Sequence, residues 1–174
     1  MKSTSQHNAA ETIRTVARRF QRAKLYFGHG TETAQDEAAW LVGHALRIAP
    51  DRLAGWLNKP VPPAALKKIE TLAAVRIKMR QPLAYLLKEA WFAGRKFYVD
   101  ERVIVPRSLT SEFIAEQFHP WIEAKHVRRI LDLCTGSGCM AIACAHAFPK
   151  ARVDAVDISE DALAVARINV KHHR

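Results

Sequence analysis

The stretch from residue 129 to residue 172 limits the fold more than any other part of the chain. RILDL, from Arg129 to Leu133, reads as a short apolar strand, Gly136 to Phe148 as a helix and Arg152 to Asp157 as a second strand. Ser159 can then cap a last helix running to about His172. Two strands joined through a helix at this spacing form a parallel βαβ unit, because parallel neighbours need a long crossover. The turn between the first strand and its helix, LDLCTGSGCMAIA, carries Gly136 and Gly138. Glycines there let the backbone approach a ligand where a side chain would collide, and the helix start offers unpaired N–H groups.

Two ligand classes fit that loop. Gly136-x-Gly138-x-x-Ala141 satisfies a loose dinucleotide fingerprint, and Asp157 lies about 20 residues on, where a ribose-binding acid is expected. S-adenosylmethionine is the alternative: it has a ribose and no phosphate, and it needs acceptors for its ammonium group and its ribose hydroxyls. Asp132 ends the first strand just before the loop and Asp157 ends the second, so both acids project at the carboxyl edge where open α/β sheets bind ligands. An acid beside a pyrophosphate would add repulsion, so Asp132 favours the sulfonium cofactor. In a third reading, the glycines only permit close packing of helix on strand.

The first 80 residues differ in kind. From Ala9 to Phe27 apolar residues recur at helical spacing, through Ile13, Val16, Phe20 and Leu25, until Gly28 and Gly30 end the run. Thr31 or Thr33 can cap a second helix that Pro50 closes, a short third helix is expected from Arg52 to Leu57, and a fourth from Ala64 to Arg80 follows a proline-marked loop. Met and Trp residues at helical spacing in this part read as core. The same 80 residues hold 14 Lys and Arg against 6 Asp and Glu, compared with 13 against 11 in the remainder. A basic module is drawn to phosphate-rich partners, although a solvated helical surface shows the same charge.

After Gln81 the pattern turns β-rich. Lys96 to Val99 and Arg102 to Val105, separated by Asp100-Glu101, predict a hairpin, and Pro106 bars the second run from being a long central strand. Ser108 can cap a helix from Leu109 to about Glu123, with Glu112 near its positive first turn. Cys134, Cys139 and Cys144, odd in number and spaced by five, suit neither a CxxC metal site nor a secreted disulfide framework. Small buried thiols in a cytoplasmic protein, and no metal site, are the expectation. Residues 1–30 lack an apolar signal-peptide core, Glu11 argues against a transit peptide, and no stretch approaches the roughly 18 apolar residues that span a membrane.

LDLCTGSGCMAIA, the acid in VDAVDIS, the segment QPLAYLLKEAWFAGRKFYVDERVIVPRS and the helical part before it together resemble the HemK-type protein-glutamine methyltransferases. The likeness is greatest to the branch that modifies large-subunit ribosomal protein three, where Cys134 replaces the usual glycine and Ser108 follows Pro106-Arg107. The resemblance implies a fold, a cofactor and a partner. The fold is α/β: a small helical substrate-recognition domain over 1–80, a linker with a β-hairpin over 81–107, and over 108–174 the first part of a Rossmann-like methyltransferase sheet, left incomplete. The cofactor is S-adenosylmethionine, with its loop on Cys134, Thr135, Gly136, Ser137 and Gly138, the motif's acid at Asp132, the ribose acid at Asp157 and Ile158 against adenine. The partner is a large-subunit ribosomal protein within an RNA-containing assembly precursor.

The family's catalytic signature, Asn-Pro-Pro-Tyr at the end of a later strand, is not in this sequence, so no catalytic residue is assigned. An amide nitrogen is a poor nucleophile, because its lone pair is delocalised into the carbonyl. It must be held and aimed, and the signature does this by positioning and electrostatics. The chain is therefore expected to be the front part of a longer enzyme and inactive alone. A non-catalytic ribosome- or RNA-binding module and a fragment of a nucleic-acid amino methyltransferase are the alternatives. Two strands with open edges also predict self-association.

Overall fold

A computed structural model describes residues 8–174, which divide into two compact units between Leu87 and Lys88. The first seven positions of the segment weighed above as a targeting signal lie outside the described residues.

The first unit is helical: α1 (Ala9–Arg22), α2 (Ala34–Leu46), a 3-10 segment (Pro50–Trp56), α3 (Pro63–Met79) and α4 (Leu83–Leu87). A capping box starts α1, with the Asn8 side chain accepting from the Glu11 N–H and Glu11 reaching back to the Asn8 N–H. The helix stops at Arg22 and not, as the periodicity suggests, at Phe27. Lys24 takes a φ of 50°, and the Leu25 N–H turns back to the Phe20 carbonyl. Leu25 and Phe27 still pack on the same core from the loop, which is why the apolar pattern runs on past the helix end. Thr33 is the cap of α2, accepting from the Asp36 N–H. The expected third helix is the 3-10 segment, and α4 is too short to leave a periodic signal.

Val16, Phe20, Leu41, Val42, Ile69 and Leu83 form the centre of this unit. Trp40 and Trp56 pack against it as expected, whereas Met79 is exposed. Within the core, Arg76 Nε donates to Glu37 Oε1 at 2.7 Å and Nη2 donates to Tyr26 O at 3.0 Å. Both charged side chains are nearly closed to solvent, at 2% and 3% exposure.

The second unit begins with a hairpin whose position differs from the expectation. β1 (Ala90–Phe92) pairs antiparallel with β2 (Arg95–Phe97), Trp91 lying opposite Lys96. The turn is Ala93-Gly94, with φ values of 48° and 69°, the two left-handed residues of a type I′ turn. Asp100-Glu101 does not turn a hairpin. The Asp100 carboxylate instead takes the Arg102 backbone N–H, and residues 102–105 belong to no strand. α5 (Thr110–Ala115) is shorter than the run from Leu109 to about Glu123 expected after the Ser108 cap. Gln117 and Phe118 take left-handed φ values, and Pro120 can neither donate within a helix nor tolerate a helical residue before it.

The βαβ unit lies where the sequence predicts it. β3 (Arg129–Leu133) and β4 (Arg152–Val156) are parallel, in register from Arg129 opposite Arg152 to Leu133 opposite Val156. α6 (Cys139–Ala147) connects them after a Gly138 cap, and α7 (Glu160–His172) follows a Ser159 cap that accepts from the Ala162 N–H. Phe97, Ile114, Ile142 and Cys144 join hairpin, α5 and α6 in one core. The molecule is thus an α/β chain with helices first, a small hairpin, and two parallel strands of a Rossmann-like sheet. Among the described residues that sheet has two strands, and Leu131 and Leu133 on β3 remain 59% and 65% exposed.

Candidate functional site

The carboxyl ends of β3 and β4 lie side by side, and the chain leaving β3 folds over them as the Cys134–Gly138 loop. A Thr135 N–H to Val156 O bond of 2.9 Å seats that loop on the neighbouring strand. Asp157, just past β4, binds it a second time: its Oδ2 accepts from the Gly136 N–H at 2.8 Å while Oδ1 accepts from the Ser159 N–H at 3.0 Å. These two N–H groups, Ser159 foremost, hold the Asp157 carboxyl below the usual carboxylate range, so it stays ionised at neutral pH. With the weaker Ile158 N–H included, the carboxylate still has capacity to accept from a ligand hydroxyl.

A cavity of about 410 Å³ opens beside the loop. Cys134, Thr135, Gly136, Ser137 and Asp157 line it, together with apolar Phe92, Val105 and Met140. Five of the residues expected at a cofactor site therefore share one cavity. Asp132, Gly138 and Ile158 are not on its wall.

The three absentees have physical explanations. Asp132 turns its Oδ2 to the Thr135 hydroxyl at 2.6 Å and to the Ala141 N–H at 3.2 Å, fastening the loop to the first turn of α6. It also borders a second cavity, of about 610 Å³, with Ile114, Phe118, Ile130 and Cys144. Ile158 stands fully in solvent. Gly138, at a φ of 79°, meets α7: a Cβ there would come within 3.2 Å of the Ala166 Cβ. Gly136 is different, because at a φ of 55° its missing Cβ would have no atom within 4 Å. One glycine therefore serves close helix packing, and the other leaves backbone bare beside the cavity.

Burial raises the thiol pKa of Cys139 and Cys144, which suits packing roles. Cys134 departs from the buried-thiol expectation, since it is exposed on the cavity wall. Among the described residues no cluster of His, Cys, Asp or Glu could hold a metal ion, and no helix is long and apolar enough to cross a membrane.

Two features of the site escaped the sequence reading. Asn169, on α7 and with 0% exposure, donates from Nδ2 to the carbonyls of Ser137 (2.8 Å) and Tyr98 (2.9 Å) and accepts the Tyr98 N–H on Oδ1 at 2.7 Å. Its signal was a carboxamide on an otherwise apolar helix stripe with Ala162, Val165 and Ala166. Arg102 is the other: it lines the cavity while the buried Asp100 holds it through Nε at 2.9 Å and Nη2 at 2.6 Å. A Tyr-x-Asp-x-Arg spacing was the available clue.

Two family models match the chain: the PrmC N-terminal domain over residues 12–87 and the Methyltransferase small domain over residues 110–174. Among similar proteins is the ribosomal protein uL3 glutamine methyltransferase of Burkholderia pseudomallei, 48% identical over 160 residues, covering 91% of this chain and 52% of that protein. The protein of the same name from Neisseria meningitidis serogroup A is 48% identical over 167 residues, covering 93% and 55%. That of Francisella tularensis is 44% identical over 169 residues, covering 97% and 54%. The chain spans about half the length of the curated relatives it matches.

Proposed function

We propose that the chain is the front portion of a HemK-type protein-glutamine methyltransferase that methylates a glutamine side-chain amide in large-subunit ribosomal protein uL3, with S-adenosylmethionine as methyl donor. The observation that carries this reading is the bare Gly136 backbone and the ionised Asp157 on one cavity wall, in a chain so similar to methyltransferases of that name.

The residues present suit that cofactor. The cavity falls in the range of small-molecule sites, and it combines an apolar wall with a few placed polar groups. Asp157 would accept from the ribose hydroxyls, and the Cys134–Ser137 backbone would lie along the methionine part. Phe92, Val105 and Met140 would cover apolar surface and exclude water. Asp132 holds the loop in shape from behind. When bound, the cofactor supplies a methyl group on a sulfonium; the residues here orient it and carry no acceptor-aiming group. The Asn-Pro-Pro-Tyr signature is not among these 174 residues, so the chain alone is proposed to bind donor and not to turn over.

Calorimetry tests the donor site. S-adenosylmethionine should bind, and Asp157→Ala should weaken binding by tenfold or more; unchanged affinity in that variant would remove Asp157 from the site. An enzyme that continues this sequence through the missing signature should transfer methyl to uL3, and transfer to RNA amino groups in its place would favour the nucleic-acid branch.

The helical part is proposed to recognise the substrate, in the cytoplasm, within an RNA-containing assembly precursor. Its excess of 14 basic over 6 acidic residues supports an electrostatic contribution. Binding to precursor particles should weaken as salt rises, and salt-independent binding would exclude that contribution. The two-stranded sheet is proposed to self-associate through its open edges, giving a concentration-dependent mass in sedimentation.

A further inference from the structure

Arg102 and Arg107 are the cations on the wall of the 410 Å³ cavity, opposite in charge to Asp157 on the same wall. The fork of Arg102 is fixed by a buried acid. Asp100 takes Nε and Nη2. Asp100 is in turn fixed by the Tyr98 hydroxyl, which donates to Oδ2 at 2.8 Å. Tyr98 is tied at its backbone N–H and carbonyl to Asn169, which also bonds Ser137 of the glycine loop. A continuous chain of hydrogen bonds therefore sets Arg102 and the loop in a common frame before any ligand arrives.

None of the hydrogen bonds made by Arg102 uses Nη1, and its side chain is 36% exposed. A guanidinium on a cavity wall with two nitrogens held by an acid and a third outside those bonds is preorganised for a carboxylate. The donor proposed above carries two cationic groups, ammonium and sulfonium, and one anion, the carboxylate of its methionine part. Arg102 repels the first two and attracts the third.

We infer that the Asp100–Arg102 pair forms an anion subsite of this cavity, in which Arg102 Nη1 receives the carboxylate of the methyl donor's amino-acid part. The inference rests on the donor reading of the cavity. Both partners stay charged across the neutral range, since the Arg102 guanidinium holds the Asp100 carboxyl well below the usual carboxylate range. The subsite gives the loop selectivity for the amino-acid end of the donor, whereas Asp157 reads the ribose end.

The test compares S-adenosylmethionine with its decarboxylated analogue by calorimetry, on the 174-residue chain and on Arg102→Gln. The unsubstituted chain should bind the intact donor roughly tenfold or more tightly than the analogue, the worth of one charge-assisted hydrogen bond. Arg102→Gln should bind both ligands about equally, the intact donor more weakly than before and the analogue at least as tightly, since the repelling cation is gone; retained analogue binding also shows that the fold is intact. Arg102→Gln that still prefers the intact donor overturns the inference and leaves the donor site standing. So does an unsubstituted chain that binds both equally. Because Arg102→Gln strands Asp100, the double variant Asp100→Asn/Arg102→Gln is measured beside it. If both variants lose both ligands, the pair is structural and the subsite is refuted. An unsubstituted chain that binds neither ligand refutes the donor reading itself, and the subsite with it.

Discussion

The two units of this chain bury their apolar surface to different degrees. Among the described residues the helical unit leaves three large hydrophobic side chains exposed, Tyr26, Val75 and Met79, while the unit from Lys88 onward exposes ten, among them Trp121, Leu131, Leu133 and Ile158. The first has a closed helical core with an ion pair inside it. The second has a sheet of two strands, whose exposed β3 residues would in a larger α/β sheet be covered. Burial drives folding in proportion to the apolar area removed from water, so the second unit has less to offset its ordering entropy. Core residues Phe92 and Cys139 and the polar network through Asn169, Tyr98 and Asp100 both support the cavity wall.

The largest expected contrast follows directly. Limited proteolysis should cut beyond Arg129 well before it cuts between residues 10 and 80, because segments with little buried apolar surface open locally at low cost. Equal resistance of the two regions would erase the comparison.

Breaking the helical unit from inside should be the most damaging single change. Glu37→Ala leaves the Arg76 guanidinium buried with the Tyr26 carbonyl as its remaining partner, at a cost of about 3–5 kcal/mol. In urea unfolding the helical transition should move to markedly lower denaturant, and a shift under about 1 kcal/mol would mean that water or a shifted chain replaces the lost acid.

Within the second unit, Asn169→Ala removes the partner of the Tyr98 N–H and of the Ser137 and Tyr98 carbonyls, at about 1–3 kcal/mol for each group left unsatisfied and buried. Amide exchange of Tyr98 should accelerate while that of α1 stays unchanged. If α1 exchange quickened equally, the two units would unfold as one and the comparison would fail.

How much of this was legible in the sequence depended on whether the signal was periodic or local. The βαβ strands were readable because an apolar pentapeptide, a glycine loop and a second apolar pentapeptide leave little choice of order. Asp157 and the Gly136 loop came with them. The hairpin was misplaced because Asp100-Glu101 resembles a turn between β-rich runs, while the real turn, Ala93-Gly94, spends an alanine on a left-handed position that composition does not advertise. Arg102 was unreadable for a related reason: its value lies in a carboxylate two residues away that the backbone folds beneath it. Asp132 was read as a ligand acceptor from its place on the strand; what the strand position did not show is that one of its oxygens accepts from Thr135 and Ala141 and so also fastens the loop.

Acid sharpens the contrast further. The Asp100 pKa is lowered, first by its hydrogen bonds from Arg102, so its contribution to stability is complete above the ordinary aspartate value near 4 and is lost as pH falls toward the lower folded value. The second unit should therefore lose stability between about pH 4 and pH 2, and Asp100→Asn should make that slope shallower by removing the linked proton. An unchanged slope would place the acid sensitivity in other carboxylates, Asp154 between Arg129 and Arg152 being the next in line.

The smallest effect returns to the helical unit and isolates burial as the variable. Arg19 of α1 donates from Nη1 to Glu70 of α3 at 2.5 Å, a pair as close as Arg76 and Glu37, but its side chains are 31% and 61% exposed. Water solvates both charges whether or not they meet, and salt screens what attraction remains, so Glu70→Ala should cost no more than about 1 kcal/mol. The cost should shrink further in 1 M salt, where the Debye length falls to about 3 Å, while that of Glu37→Ala persists. A Glu70 variant as destabilised as the Glu37 one would mean that distance between the charges, and not their removal from water, sets the strength of ion pairs in this unit.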